Sequence, residues 1–376
     1  MWFAPPWAAR YPGSMTLNER MYWGAWARLP GVGPRRMARL QATFGSLVQA
    51  WQASGEQLRS AAIVPGKELE VLIQARRTLD PARAWEQDQQ AGLRVICRID
   101  PDYPEALTQL ADAPAVLWVR GVWPLPERAV AIVGTRDASP YGLQQAGRLA
   151  RELAAAGVNV VSGAASGIDG AAHRGALAHP PAEGTGLTTA VLGCGLLHVY
   201  PAHHRGLYAA IAQRGTLISE LPPEQRAVPG AFPRRNRLIA ALARGTLVVE
   251  ARARSGSLIT ADCALELGRE VLALPGPVGA PGSEGPHALL RDGAVLVESA
   301  QDVLNACGWP ARPAPVRAAR PEAEQRLLAA LRGQPLSLSQ LEKQLPLGLP
   351  VLSAGLLQLE LAGLVRRLPG GLFAHL

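Results

Sequence analysis

Two short apolar runs, each of which stops at a glycine-rich turn, constrain the fold of this chain more than any other feature. Ala129–Val133 ends at the turn Gly134–Arg136, and Val158–Val161 ends at the turn Ser162–Gly170. A segment with apolar residues at helical spacing follows each turn. This order of strand, glycine turn and helix is typical of an α/β unit that binds phosphate.

The glycines of these turns have a functional and a structural interpretation. Glycine lets the backbone approach a ligand closely, and the first amides of the following helix have no partner within that helix. Because an anion fits such a position, the turns predict a phosphate-bearing ligand, with Arg136 adding positive charge. In the structural alternative, the glycines only make tight turns in a doubly wound sheet.

Strand-like and helix-like segments alternate through the centre of the chain. The strands are predicted near 129–134, 157–162, 188–193, 215–219, 246–250 and 270–274. Such alternation predicts an α/β fold with a doubly wound, extended Rossmann-like parallel sheet. Two more strand-like runs, 93–99 and 114–121, are expected to extend this sheet, and the DPDYP segment between them is interpreted as structural. Ligands of such sheets lie beyond the carboxyl ends of the strands, so the turns there are expected to line one cleft.

Composition divides the chain into parts with different character. Residues 1–14 are rich in aromatics and proline without the pattern of a signal peptide, and translation could start at Met1 or at Met15. A stretch rich in proline, alanine and arginine after Asn305 is typical of a linker. The predicted parts are a disordered extension (1–14), a helical SAM-like domain (15–85), the Rossmann-like domain (86–306), a linker (307–321) and a winged-helix domain (322–376).

The helical part contains Leu29–Leu40, LPGVGPRRMARL, which resembles a helix-hairpin-helix. In that motif the glycine turn exposes amides to a DNA phosphate, and Arg35, Arg36 and Arg39 would add charge. A hairpin that serves only for packing is the alternative, and both stay open.

Charge distinguishes the parts further. The net charge is +8, and it is concentrated between Arg226 and Arg254, where seven arginines face the single acid Glu250. The C-terminal part has five basic and four acidic residues, and its third predicted helix has no basic residue. Because phosphate neutralisation drives affinity for nucleic acid, we predict a protein-contact or accessory role for that part rather than DNA binding.

Several motifs occur in the order typical of one family. They are IVGTR, SPYG, SGAASGID, GCG, YP, ISE, FPRRNR, VVEA, SGSLIT and LPGP, and they cover about 150 consecutive residues. The chain thereby resembles the DNA-processing protein A (DprA/Smf) family, whose members bind single-stranded DNA and load the RecA recombinase during natural transformation and homologous recombination. Two departures are His204, where the pattern has asparagine, and Pro286-His287 in the segment Ser283–Leu290.

The resemblance implies a cytoplasmic, non-enzymatic protein without cofactor or metal. Its partners would be single-stranded DNA and RecA. Binding to duplex DNA would be weaker, and no membrane contact is expected. The implied DNA contacts are Gly134, Thr135, Arg136, Ser162, Gly163, Ser166, Gly167, Arg235, Asn236, Arg237, Ser255, Gly256 and Thr260. Family members pair through the end of the α/β domain, which implies a homodimer with His287, Leu290 and Leu296 at its interface.

The residues also limit the alternatives. Ser255–Thr260 lacks the lysine that a P-loop needs for the β- and γ-phosphates, which argues against ATP hydrolysis. A nucleotide-processing hydrolase of the lysine-decarboxylase-like group remains the main alternative, since Asp169, Glu220 and Glu250 are expected near the cleft. His173 is predicted to be packed in the core and not to act as a general base. A winged-helix transcription regulator is a third hypothesis. The four cysteines are too dispersed for a zinc site or a disulfide framework, and no apolar run reaches the length of a membrane span.

Overall fold

A computed structural model describes residues 17–179, 188–309, 321–361 and 363–375. The chain forms two compact units, Met1–Ala311 and Arg312–Leu376. The extension predicted at 1–14 lies outside the described residues, as does most of the predicted linker. No helix in the described ranges is long and apolar enough to cross a bilayer.

The first unit begins with helices, as the sequence predicts. Asp80 caps one of them by accepting the amides of Ala82 and Arg83, and Pro81 occupies the first helical position, where a missing N–H costs nothing. This helix runs across the boundary predicted between residues 85 and 86. The helices are α1 (Leu17–Arg28), α2 (Pro34–Phe44), α3 (Leu47–Gln52), α4 (Gly55–Ser60), α5 (Gly66–Thr78) and α6 (Pro81–Gln90).

A buried polar contact joins these helices to the following strands. Arg28 of α1 forms a 2.6 Å ion pair with Asp88 of α6, and the same carboxylate accepts the indole N–H of Trp118 at 3.1 Å. Trp118 is fully buried in a hydrophobic core that also contains Trp26 of α1. The helical region therefore shares one core with the sheet instead of packing only against itself.

The central sheet has nine strands among the described residues. They are β1 (Arg94–Cys97), β2 (Val116–Gly121), β3 (Ala129–Val133), β4 (Asn159–Ser162), β5 (Thr188–Val191), β6 (Thr216–Ser219), β7 (Gly245–Val248), β8 (Glu270–Ala273) and β9 (Val295–Leu296). Their order is β1-β2-β6-β5-β4-β3-β7-β8-β9. Strands β3 to β9 run parallel, which confirms the doubly wound sheet, and β1 and β2 extend it in antiparallel pairing.

Helices cover both faces of this sheet, and its central strand β3 is accordingly apolar throughout. Along β3, Val130 and Ile132 pack on the layer of α8, α9 and α14, whereas Ala131 and Val133 pack on the layer of α11 and α12. The helices of this region are α7 (Glu105–Thr108), α8 (Pro140–Ala155), α9 (Ile168–Ala178), α10 (Arg205–Arg214), α11 (Ala231–Ala241), α12 (Gly256–Glu266), α13 (Glu284–Arg291) and α14 (Ala300–Ala306), with 3₁₀ turns at Ala202–His204 and Pro281–Ser283.

The second unit is a small winged helix, as predicted. It consists of α15 (Glu322–Leu331), β10 (Leu336–Ser337), α16 (Leu338–Gln344), α17 (Leu349–Leu361), β11 (Val365–Leu368) and β12 (Leu372–His375). The strands form an antiparallel sheet in the order β10-β12-β11, and leucines of the three helices fill the core. Gly370 and Gly371 have positive φ angles at the hairpin turn, where the sequence predicts it.

Candidate nucleic-acid interface

A cleft of about 530 Å³ opens at the carboxyl ends of β3 and β7. The chain order reverses between these two neighbouring strands, and ligands of doubly wound sheets bind at such a switch point. The cleft collects residues from several turns that the sequence predicts to lie together. Eight predicted site residues line it, namely Gly134, Thr135, Arg136, Arg235, Asn236, Ser255, Gly256 and Thr260.

Arg136 is an exposed cation of this cleft, and its guanidinium lies over the ring of Phe232, which packs beside the ring of Tyr200. Its guanidinium carbon is 5.4 Å from the centroid of the Phe232 ring, and the Phe232 ring is 5.1 Å from that of Tyr200. Tyr200 is 44% exposed, so its ring is accessible from the cleft. Tyr200 belongs to the YP motif and Phe232 to the FPRRNR motif, but neither ring is among the DNA contacts predicted from the sequence.

Arg235 has a different role from the predicted one. The residue is only 5% exposed, and its guanidinium donates hydrogen bonds to the carbonyls of Gly163, at 2.8 Å, and Val191. Burial lowers the pKa of this guanidinium. Because protein carbonyls engage it, Arg235 holds the ends of β4 and β5 together and does not present its charge to a phosphate.

The buried charge of Arg235 has an acidic counterpart in Asp169. A Cβ atom added to Gly163 would lie 2.6 Å from both side chains, so the two groups flank the same glycine. Asp169 also accepts the amide of Ala165 at 3.3 Å. Burial raises the pKa of Asp169, and the nearby Arg235 opposes that shift. Gly163 is thus a packing requirement of this buried charge cluster.

Arg237, unlike Arg235, is not among the residues that line the cleft. It pairs with Glu220 at 2.7 Å and with Asp112 at 3.1 Å. Residues two apart on a helix point about 200° away from each other, so Arg235 and Arg237 of α11 cannot face one site. Of the arginines of α11, Arg235 lines the cleft, whereas Arg237 does not, and Arg234 lies toward Glu220 at 3.6 Å.

The two glycine turns pack against each other. Gly167 has φ +75°, and a Cβ there would lie 2.3 Å from the carbonyl oxygen of Thr135. The same carbonyl accepts the amide of Ile168 at the start of α9, at 3.2 Å. A Cβ on Gly134 would in turn collide with Ile168 and with the backbone of Glu250. Close packing between the two turns is therefore enough to explain why Gly134 and Gly167 are glycines.

The anion expected after the first turn comes from the protein itself. The carboxylate of Glu250 accepts the amide of Ser139 at 2.9 Å and also its hydroxyl group. Ser139 is the N-cap of α8, where a negative charge is stabilised by the helix dipole. A Cβ on Gly142 would collide with this carboxylate, so the glycine of the SPYG motif makes room for it.

Ser166 and Gly167 of the 162–167 loop border a smaller neighbouring cleft of about 330 Å³, which Arg136 also lines. Ser166 Oγ lies 3.3 Å from Nε2 of His203 there, and Gly167 is also in its lining. Ser162 does not contribute, because it is fully buried and its hydroxyl donates to the carbonyl of Ile132 at 2.6 Å. His204, at the departure from the family pattern, is buried and its Nδ1 donates to the carbonyl of Ala164 at 3.0 Å.

His173 is packed in the core, as the sequence predicts. The hydroxyl of Thr188 donates to the carbonyl of Val160, so it accepts from Nδ1–H of His173 at 2.7 Å. Nε2 then carries the free lone pair and has no hydrogen-bond partner among the described residues. Burial lowers the pKa of His173 to about 3, because a proton on Nε2 would be an unsolvated charge.

The hairpin between α1 and α2 faces the α/β body. Residues 29–34 border a groove of about 420 Å³ together with Glu220 and Arg234. Arg36 is engaged by Glu68 at 2.9 Å and by the carbonyl of Gly31 at 2.7 Å. A DNA contact through this hairpin stays a prediction.

The residues predicted for a dimer interface lie at one edge of the sheet. Leu296 is 49% exposed on the edge strand β9, and Leu290 is half-buried on α13. His287 donates from Nε2 to the carbonyl of Gly276 at 3.0 Å. The ranges that the structure describes contain no cluster of side chains suited to a metal ion.

Comparison with known proteins gives consistent matches. The model of the DNA recombination-mediator protein A family matches residues 94–308, and that of the DprA winged helix domain matches residues 310–371. Protein Smf from Synechocystis is 33% identical over 95% of this chain and 98% of its own length. The X-ray structure of DNA processing protein A from Streptococcus pneumoniae superposes with a TM-score of 0.63 at 32% identity and covers 78% of this chain and 98% of that protein. A structure of DNA processing protein A from Helicobacter pylori, described for its single-stranded DNA binding mode, gives a TM-score of 0.51 at 31% identity over 57% of this chain and 94% of that one.

Proposed function

The chain belongs to the DNA recombination-mediator protein A family, and from that premise we propose that it binds single-stranded DNA in the cleft at the β3–β7 switch point. In this proposal the protein acts in the cytoplasm during natural transformation and homologous recombination. It holds the incoming strand, binds duplex more weakly and delivers the strand to RecA.

The observation that carries the proposal is the group formed by Arg136, Phe232 and Tyr200. A single strand offers phosphates and unstacked bases, and proteins bind it with cations beside aromatic faces. Arg136 has no carboxylate within ion-pair distance among the described residues, so its charge is available for a phosphate. Asn236 also lines the cleft; its Nδ2 donates to the carbonyl of Gly256 at 3.1 Å and keeps a second N–H for a polar contact.

We further propose that the protein does no chemistry on the strand. The three acids that could support a hydrolase are already engaged: Glu250 caps α8, Asp169 compensates Arg235, and Glu220 pairs with Arg237. A carboxylate held in this way is a poor general base, because its lone pairs accept protein hydrogen bonds. The rival hydrolase hypothesis needs one of them to be free.

Fluorescence anisotropy tests the proposed function. Labelled single-stranded and duplex oligonucleotides of equal length are titrated with the full chain and with a chain that ends at residue 321. We expect tighter binding of the single strand, and we expect the truncated chain to keep most of that affinity because the winged helix is nearly neutral. Equal or tighter duplex binding, lost on truncation, would contradict the proposal and move the site to the winged helix.

We propose that two copies pair along the β9 edge of the sheet. An edge strand leaves backbone groups open for pairing, and Leu296 adds an exposed apolar side chain on that strand, while Leu290 is half-buried on α13. Light scattering of Leu290→Arg should give a folded monomer, with circular dichroism as the control for folding. A dimer that persists would place the interface elsewhere, and an unfolded variant would assign Leu290 to the core of its own subunit.

A further inference from the structure

The smaller cleft beyond Arg136 is built for a second anion. Arg136 lines both clefts, so a strand bound in the larger cleft can continue into the smaller one without leaving this arginine. Arg174 lies on α9, two helical turns after Gly167, and its side chain is therefore on the same side of the helix as the turn. His203 lies opposite, with its Nε2 beside Ser166.

The charges of this smaller cleft are available for binding. Arg174 is exposed and, like Arg136, has no carboxylate within ion-pair distance among the described residues. The acid in the lining, Asp137, is 91% exposed at its side chain and lies 3.4 Å from Arg252. The cleft thus presents two guanidinium groups without a carboxylate partner, an imidazole and a hydroxyl, together with the Asp137 carboxylate beside Arg252.

The other side of the main cleft is electrostatically neutralised. A strand that leaves there would pass Arg234 toward the groove of the α1–α2 hairpin. Arg234 lies 3.6 Å from Glu220, and Arg28 in the same groove pairs with Asp88 and Glu224. A phosphate would have to compete with these carboxylates, whereas Arg174 has no carboxylate within ion-pair distance among the described residues and Asp137 lies beside Arg252.

We infer that the bound strand leaves the main cleft over Arg136 and places a further phosphate between Arg174 and His203. The inference rests on the proposed function and deepens it, because it assigns a path and two contact residues to the same ligand. It makes Arg174 a contact for long strands only, since Arg174 lines the smaller cleft and a short oligonucleotide can fill the main cleft without reaching it.

The test compares thymidine oligonucleotides of about four and about sixteen nucleotides, the range of site sizes known for single-strand binders. Arg174→Ala should leave the short oligonucleotide unaffected. For the long oligonucleotide, Arg174→Ala should weaken binding about tenfold, which is the lower end of the free energy expected for a hydrogen bond to a charged group. It should also reduce the magnitude of the slope of log K against log salt by about 0.7. Arg174→Lys should restore much of the affinity, and Arg234→Ala is the matched control for the opposite exit.

The outcomes separate this path from the proposed function. If Arg234→Ala lowers the salt slope for long strands and Arg174→Ala does not, the strand leaves toward the hairpin and the inference is overturned. If Arg174→Ala weakens both lengths equally, the residue belongs to the main cleft and the path is also wrong. Normal binding of both lengths by Arg136→Ala would instead contradict the proposed function itself.

Discussion

Replacing Arg235 by leucine is expected to lower the free energy of unfolding by about 3–5 kcal/mol, the usual cost of leaving a buried charge without its partner. The substitution removes the donors for the carbonyls of Gly163 and Val191 and leaves the buried Asp169 uncompensated. Urea denaturation followed by circular dichroism measures the loss. Arg234→Leu on the exposed side of α11 is the control, and it should cost less than about 1 kcal/mol.

A double variant shows whether the charge or the packing is responsible. If Asp169 is the unpaired group, Arg235→Leu combined with Asp169→Asn should be less destabilised than the sum of the two single variants, because neither charge remains. Additive losses would mean that the two side chains do not act as a pair. A loss below about 1 kcal/mol in Arg235→Leu alone would contradict the role given to the buried guanidinium.

The sequence predicts most of this fold because the signals for it are local. Each apolar run of the sheet is followed by a turn residue that ends it, so β3, β4 and β7 begin and end within two residues of the prediction. The meeting of Gly134 and Ser255 in one cleft follows from parallel strands alone, since their carboxyl ends share one edge.

The roles of individual side chains were less predictable, because a motif does not tell which face of its helix is buried. In FPRRNR, three arginines share one segment of sequence and yet point into the core, to Glu220 and to Asp112. The charge of the 226–254 window is therefore a poor measure of charge at the cleft. The Phe232 ring of the same segment packs against Gly193 and also lies under Arg136.

The reason for each conspicuous glycine was equally hard to predict from the sequence. A sequence shows that Gly142 or Gly167 lacks a side chain, but it does not show what occupies the space. Here the carboxylate of Glu250 occupies it at Gly142 of α8, and the backbone of Thr135 occupies it at Gly167 of the second turn. Both contacts join residues far apart in sequence, so tertiary packing decides them.

Arg136→Ala is expected to cause the largest loss of single-strand affinity of any single exposed residue. Removing a charged contact to phosphate should weaken binding by about tenfold or more for every sequence and lower the slope of log K against log salt by about 0.7. Arg244→Ala is the matched control from the same arginine-rich window. Arg244 is exposed at the amino end of β7, at the opposite edge of the sheet, so its loss should leave both affinity and slope unchanged.

A variant of Phe232, whose ring lies under Arg136, distinguishes the contribution of base stacking to the affinity from that of charge. Phe232→Leu keeps an apolar side chain against Gly193 but removes the flat face, so affinity should fall by the about 1–3 kcal/mol of one stacked base while the salt slope stays constant. A slope that fell with Phe232→Leu would mean that the ring acts only by orienting Arg136. If Arg244→Ala weakened binding as much as Arg136→Ala, the net charge of the protein would explain the affinity. The proposal that the strand binds in the cleft would then be wrong.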